Sequence, residues 1–177
     1  MKKLHYLSFC LLFLSTVCFA EISKKEKKAL VDLYNTTNGK HWVKKWDLKS
    51  PVSQWHGVKV ENDVVVEINL FHNNLMGSIS PQIGGLENLK VLNLAFNSLT
   101  GSVPTEIANL SNLKVLKLEM NRLNGEIPEG IGSLIELEEF SAFNNFLTGR
   151  IPAAVGNLTN LKVLNLSSNE FYGDIPS

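Results

Sequence analysis

A period of 24 residues governs most of the sequence. Asn73, Asn97, Asn121, Asn145 and Asn169 recur at that spacing, and Gly77, Gly101, Gly125, Gly149 and Gly173 follow each Asn by four residues. Ile79, Val103, Ile127, Ile151 and Ile175 come two residues later, with Pro104, Pro128, Pro152 and Pro176 directly behind the last four. Ahead of each Asn runs a spaced apolar set: Val65, Ile68, Leu70; Leu89, Leu92, Leu94; Leu113, Leu116, Leu118; Leu137, Phe140, Ala142; Leu161, Leu164, Leu166. Several columns kept in phase over five copies imply an array of stacked units, because one short unit cannot bury an apolar face alone.

Each column has a physical task. The apolar-x-apolar pair has the two-residue period of a short strand, with both side chains turned into one core. The Asn falls where the chain leaves the strand, and its amide carries two donors and an acceptor for backbone groups of neighbouring coils. Asn73, Asn97, Asn121, Asn145 and Asn169 are therefore expected to stack as a structural hydrogen-bonded ladder. The Gly allows a backbone geometry or close approach that a side chain would block, and the Ile-Pro step disfavours helix. Ile107, Ile131 and Val155, with Leu110, Leu134 and Leu158, supply apolar contacts on the returning side.

These columns resemble the plant-specific class of leucine-rich repeats, L-x-x-L-x-L-x-x-N-x-L-x-G-x-I-P, from Val64 to Ser177. The resemblance implies an α/β fold: a right-handed solenoid with a concave parallel β-sheet, an irregular or 3₁₀ convex side and a helical N-terminal cap. The expected organisation is a leader over residues 1–20, a cap over 21–63 and about five repeats over 64–177, the last incomplete.

The cap begins with a helix expected over Ser23 to Asn38. Ser23 and Glu26 have capping-box spacing, Ala29, Leu30, Leu33 and Tyr34 make an apolar face, and Asn38-Gly39 is a stop signal. Trp42, Trp46 and Trp55 follow, read as cap core, and Trp55-His56-Gly57-Val58 leads into the first repeat strand near Val64. Plant members usually carry cysteines around this step. Here Ser53, Gln54, Lys59 and Val60 occupy it, so the cap is more similar to that of secreted bacterial or protist relatives.

Lys2 and Lys3, an apolar run from Leu4 to Phe19, and Ala20 before Glu21 describe a secretory signal peptide cleaved after Ala20. The run is short for a membrane span, which needs about 20 residues. Both cysteines, Cys10 and Cys18, lie in this leader, so the exported chain would contain no disulfide and no thiol. The expected location is secreted or cell-surface, with no integral membrane segment in the mature chain. Balanced charge, with 17 Lys+Arg against 17 Asp+Glu, removes the basic footprint of a nucleic-acid binder.

Chemistry is sparse. His41, His56 and His72 are the histidines after the leader, and none has zinc-ligand spacing with another donor. No G-x-S-x-G, P-loop or H-E-x-x-H motif occurs, and the adjacent Glu138 and Glu139 should splay rather than share a proton. No catalytic residue, metal or cofactor is expected. Asn35, Asn109, Asn157 and Asn165 open glycosylation sequons, three of which recur because the repeat itself uses Asn and Leu there.

A partner would meet the strand positions that face away from the core. These include the columns Phe71, Ala95, Glu119, Phe143, Ser167; His72, Phe96, Met120, Asn144, Ser168; and Asn69, Asn93, Lys117, Ser141, Asn165. The core does not require Phe71, Phe96, Met120 or Phe143 to be apolar. A patch of Phe71, His72, Phe96, Met120 and Phe143, edged by Lys117 and Glu119, points to a protein or peptide ligand. The face offers roughly 400 Å² before side-chain relief, against about 800 Å² per partner in a stable interface, so flanks or further repeats should contribute. The competing readings are a carbohydrate-, ice- or surface-binding structural protein, for which Asn69, Asn93 and Asn165 give some regularity, and a spacer or ectodomain fragment of a longer receptor-like chain. Gly173 to Ser177 stops within a repeat. The expectation is that the natural chain continues, or that uncapped ends self-associate.

Overall fold

The computed structural model describes residues 22–174, so the leader with Cys10 and Cys18, and Ile175 to Ser177, lie outside the described residues. In chain order its strands are β1 (Val58–Glu61), β2 (Val64–Asn69), β3 (Met76–Gly77), β4 (Val91–Asn93), β5 (Ser98–Gly101), β6 (Val115–Lys117), β7 (Arg122–Gly125), β8 (Glu139–Ser141), β9 (Phe146–Gly149), β10 (Val163–Asn165) and β11 (Glu170–Phe171). The main sheet has the order β1-β2-β4-β6-β8-β10 and a second has β11-β9-β7-β5-β3.

The 24-residue period becomes register. In the main sheet Ile68 pairs with Leu92, Leu92 with Leu116, Leu116 with Phe140 and Leu164 with Phe140, all in parallel. Inward residues of the first four coils are buried, whereas Leu164, in the last described coil, is 39% exposed. Short 3₁₀ turns at Pro81–Gly85, Thr105–Asn109, Glu129–Ser133 and Ala153–Asn157 carry the return side, where Ile83, Ile107 and Ile131 close the core. A Ser or Pro before each turn holds extended backbone, which stops the turn from extending backwards.

The second sheet adds to the irregular side expected from the pattern. Its strands are only two to four residues long and follow the Asn turn. Gly77 carries φ +113°, and a Cβ there would stand 2.2 Å from the Thr36 carbonyl oxygen. The close approach is used: Ser78 N–H donates to Thr36 O at 3.2 Å and Met76 N–H to Thr37 O at 3.0 Å. The helix end is thereby fastened to the first repeat.

That helix, α1, spans Lys24–Thr36 behind a complete Ser23–Glu26 capping box. Glu26 is buried and bridges two elements: Oε2 accepts from Ser23 Oγ at 2.8 Å, and Oε1 accepts from Val65 N–H at 2.9 Å. Trp42, Trp46, Trp55 and Tyr34 are buried together; Trp46 stacks on Trp55 at 4.8 Å and meets Trp42 edge-on at 4.9 Å. Each indole N–H reaches a carbonyl, Trp42 on Thr37, Trp46 on His56 and Trp55 on Ser50. The rings are core, with no face free to stack on a sugar.

The path into the first repeat differs from the sequence expectation. Ahead of the strand expected near Val64, a further strand, β1, pairs antiparallel with β2 and forms the edge of the main sheet. Asn62 and Asp63 sit at φ 48° and 64°, the double left-handed geometry of a two-residue turn whose twist matches the flanking strands.

Candidate concave-face site

The sheet sets out the candidate residues as neighbours. Alternation turns Ile68, Leu70 and their repeats inward and leaves positions 67, 69 and 71, with their repeats, on the outer face. The sequence reading overlooked the first of these columns, Glu67, Val91, Val115, Glu139 and Val163, which the two-residue period alone would have supplied. Among the described residues no group of three or more His, Cys, Asp or Glu is placed to hold a metal ion, and no helix is long and apolar enough to cross a membrane.

The strand ends are laced together by backbone hydrogen bonds. His72 N–H donates to Ala95 O at 3.0 Å, Phe96 N–H to Glu119 O at 2.9 Å, and Met120 N–H to Phe143 O at 2.9 Å. Six of the seven candidates thus lie at strand ends on successive coils, with Lys117 two residues before Glu119. The Phe71 and Phe96 rings stand 5.1 Å apart, with the His72 ring 6.1 Å from Phe71. Phe71 is 52% exposed and Phe96 38%, while Met120 and Phe143 are half-buried. Asn144 Nδ2 lies 2.7 Å from Met120 Sδ.

The column His72, Phe96, Met120, Asn144, Ser168 has a further property. All five residues have positive φ, from 49° at His72 to 56° at Phe96. Asn tolerates this conformation, whereas bulky side chains meet their own backbone in it. Phe96 and Met120 therefore occupy a position whose backbone favours other residues.

The two charges at the edge of the patch do not pair with each other. Lys117 Nζ lies 2.9 Å from Glu139 Oε1. Glu119, expected as an exposed edge charge, is only 9% exposed, and its Oε2 has no hydrogen-bond partner. Ala95, the preceding residue of its column, is fully buried. Beside the face, Glu138 bridges Lys114 and Lys162, at 3.2 and 2.6 Å. The Lys162 hydrogen bond, then that of Lys114, holds the Glu138 carboxyl below its ordinary range.

Behind the site runs the Asn ladder. The Asn97 amide donates to Leu70, Leu94 and Ala95 carbonyls and accepts from Asn73 and Leu75 N–H. Asn121 donates to Leu94 and Leu118 at 3.0 Å each and to Glu119 at 3.3 Å, and accepts from Leu99 N–H at 3.0 Å. Asn145 and Asn169 repeat the arrangement one and two coils on. Asn73 turns instead to the cap, accepting from Lys44 N–H at 2.7 Å and donating to Lys44 O at 3.2 Å.

Parallel strands one per 24 residues, 3₁₀ returns and an internal Asn ladder define a leucine-rich repeat solenoid. The chain is a leucine-rich repeat protein of the plant type. Family models described as leucine rich repeat match residues 65–123 and 160–177. Among solved structures, the chain is 34% identical to the leucine-rich repeat ectodomain of the membrane receptor kinase GASSHO1/SCHENGEN3 from Arabidopsis thaliana, which was crystallised in complex with CASPARIAN STRIP INTEGRITY FACTOR 2. That match has a TM-score of 0.75 and covers 85% of this chain but only 19% of the ectodomain. The BIR2 ectodomain from Arabidopsis thaliana matches with a TM-score of 0.79 at 27% identity, over 89% of this chain and 85% of its own. A plant ice-binding protein matches with a TM-score of 0.73 at 28% identity, over 85% and 50%. Comparison with curated protein sequences gave no match.

Proposed function

We propose that the chain is an exported, non-enzymatic binding module that takes a protein or peptide ligand on its concave face. The observation that carries this reading is the exposed Phe71–Phe96 pair, 5.1 Å apart. The core does not need these rings, and Phe96 holds a backbone conformation that its own side chain opposes. His72, Lys117, Glu119, Met120 and Phe143 complete the contact surface. Likeness to ectodomains solved with a peptide or protein bound supports the class of ligand; the fragment of the first ectodomain that this chain spans leaves that receptor's own partner with that receptor.

The test replaces Phe71, Phe96, Met120 and Phe143 by alanine together and measures binding of partners co-purified from the native secretion. Loss of binding, with the circular-dichroism spectrum kept, supports the reading; binding unchanged by all four replacements rejects it. The second reading, a binder of ice or another repetitive surface, has in its favour the likeness to the plant ice-binding protein. Its natural columns are broken, because Lys117 and Ser141 interrupt Asn69, Asn93 and Asn165. An ice-recrystallisation assay that is positive in the wild type, and unaffected by the four replacements, would move the assignment to that class.

A further inference from the structure

Glu119 is the one buried side chain among the described residues with an oxygen left without a hydrogen-bond partner. No ion pair among the described residues reaches it either. The ammonium two residues away, on Lys117, is held by Glu139. Burying a carboxylate without a cation or donors is unfavourable, and native folds normally complete such a group with a partner. Here the fold satisfies the Glu119 backbone, whose carbonyl accepts from Phe96 N–H at 2.9 Å and Asn121 Nδ2 at 3.3 Å, and leaves one carboxylate oxygen, Oε2, without a partner. Aromatic residues adjoin it: Phe96 across that backbone bond and Phe143 in the next coil of the same column. On the repeat strands the outward positions also carry three carboxylates, Glu67, Glu119 and Glu139, against Lys117, while Lys59 on β1, opposite Glu67, is paired with Glu61.

Building on the binding reading above, we propose that the ligand is a peptide segment that places a basic side chain, arginine before lysine, on Glu119. Arginine fits better because its planar, weakly hydrated guanidinium offers paired donors to a carboxylate while its faces stack on aromatic rings. Phe71 and Phe96 then take apolar side chains of the same segment, one or two coils towards the cap. The Glu119 carboxylate thereby gains the cation that its own chain withholds.

The experiment selects binders from a random heptapeptide library against the full chain, keeping those that lose affinity when Phe71 and Phe96 are replaced by alanine. The expected binders carry arginine or lysine. Exchanging that arginine for citrulline, which has nearly the same shape but no charge, should weaken binding about tenfold or more. In Glu119→Gln the same exchange should make no difference. Should Glu119→Gln fail to fold, the ¹³C carboxylate resonance of Glu119 in the wild type decides instead, moving with the arginine peptide and not with the citrulline one. Binders that need Phe71 and Phe96 but are indifferent to citrulline, or a citrulline penalty that persists in Glu119→Gln, overturn this proposal and leave the binding reading standing. A library with no peptide dependent on Phe71 and Phe96 overturns the peptide-binding reading itself, and this proposal with it.

Discussion

Replacing Asn121 tests whether the ladder is a structural requirement or a by-product of repeat sequence. Asn121 is buried, and its Oδ1 is the acceptor for Leu99 N–H at 3.0 Å. Its three acceptors each keep another donor: Leu94 O retains Asn97, Leu118 O retains Asn145 and Glu119 O retains Phe96 N–H. Asn121→Ala therefore orphans one buried N–H outright and thins the bonding at three carbonyls. An unsatisfied buried donor costs about 1–3 kcal/mol and each weakened bond less, so the expected loss is about 2–4 kcal/mol. Asn121→Asp separates the amide's two roles. It keeps the acceptor for Leu99 but points carboxylate oxygens at carbonyls, so it should be worse than alanine at neutral pH. The same repulsion raises the folded carboxyl's pKa, so the deficit is full above that value and shrinks as pH falls towards the unfolded one. Urea denaturation followed by circular dichroism gives the stabilities, and hydrogen exchange at the Leu99 amide gives the local effect. A loss under about 0.5 kcal/mol for alanine with Leu99 protection unchanged, or an aspartate variant as stable as wild type, would refute the reasoning.

Further outcomes follow from the same geometry. Glu26→Ala removes both the capping box and the acceptor of Val65 N–H, and should destabilise by about 2–3 kcal/mol in a urea titration; a smaller loss in Ser23→Ala would reflect its role in the box alone. Gly77→Ala should lower the midpoint of thermal unfolding, since its Cβ meets the Thr36 carbonyl at a positive φ, and an unchanged midpoint would contradict the docking described. The Glu138 carboxyl, held low by Lys162 and Lys114, adds stability that is present above the unfolded carboxyl pKa and lost as pH falls through the lower folded value. Glu138→Gln should abolish that part of the acid dependence, and the difference between the two proteins should shrink in high salt because the group is at the surface. Phe96→Asn, at φ 56°, should stabilise by roughly 0.5–1 kcal/mol while weakening ligand binding.

The fold was legible wherever a physical constraint recurs in every coil. Inward strand residues, the Asn and the Gly repeat because every coil meets the same neighbours, and the register followed directly: Leu92 opposite Leu116 is the period itself. Features that occur once were less visible. The antiparallel β1 belongs to no repeat, and its signal, Asn62-Asp63 between two valine-rich runs, lies in the stretch assigned to the helical cap. The second sheet escaped because its strands are two to four residues long, as with Ser98–Gly101, too short for any alternation to register. At the site, alternation gave the direction of each Cβ but not what neighbouring side chains do to it. Glu119 points outward by the same rule as Phe71, yet one is buried and the other half exposed. Lys117 found Glu139, on the next strand, rather than Glu119, two residues further along its own coil.

The local costs in this chain are concentrated. Phe96 and Met120 hold left-handed backbone, and Glu119 holds one buried carboxylate oxygen without a partner. All three lie on two successive strand ends joined by the Phe96–Glu119 hydrogen bond. The corresponding column positions further along the solenoid carry Asn144 and Ser168, which suit or tolerate the geometry, and Phe143 and Ser167, which carry no charge. The same backbone therefore accepts undemanding residues in later coils, and nothing in the packing forces the costly ones in the earlier ones. Costs spread at random along an array would be neutral drift, but costs gathered beside the exposed Phe71–Phe96 pair have a shared explanation in ligand contact. That explanation binds the three sites together. Phe96→Asn, Met120→Asn and Glu119→Gln should each hold or raise the unfolding midpoint, and each should weaken the same ligand. A variant that gains stability and keeps full affinity would remove its residue from the site.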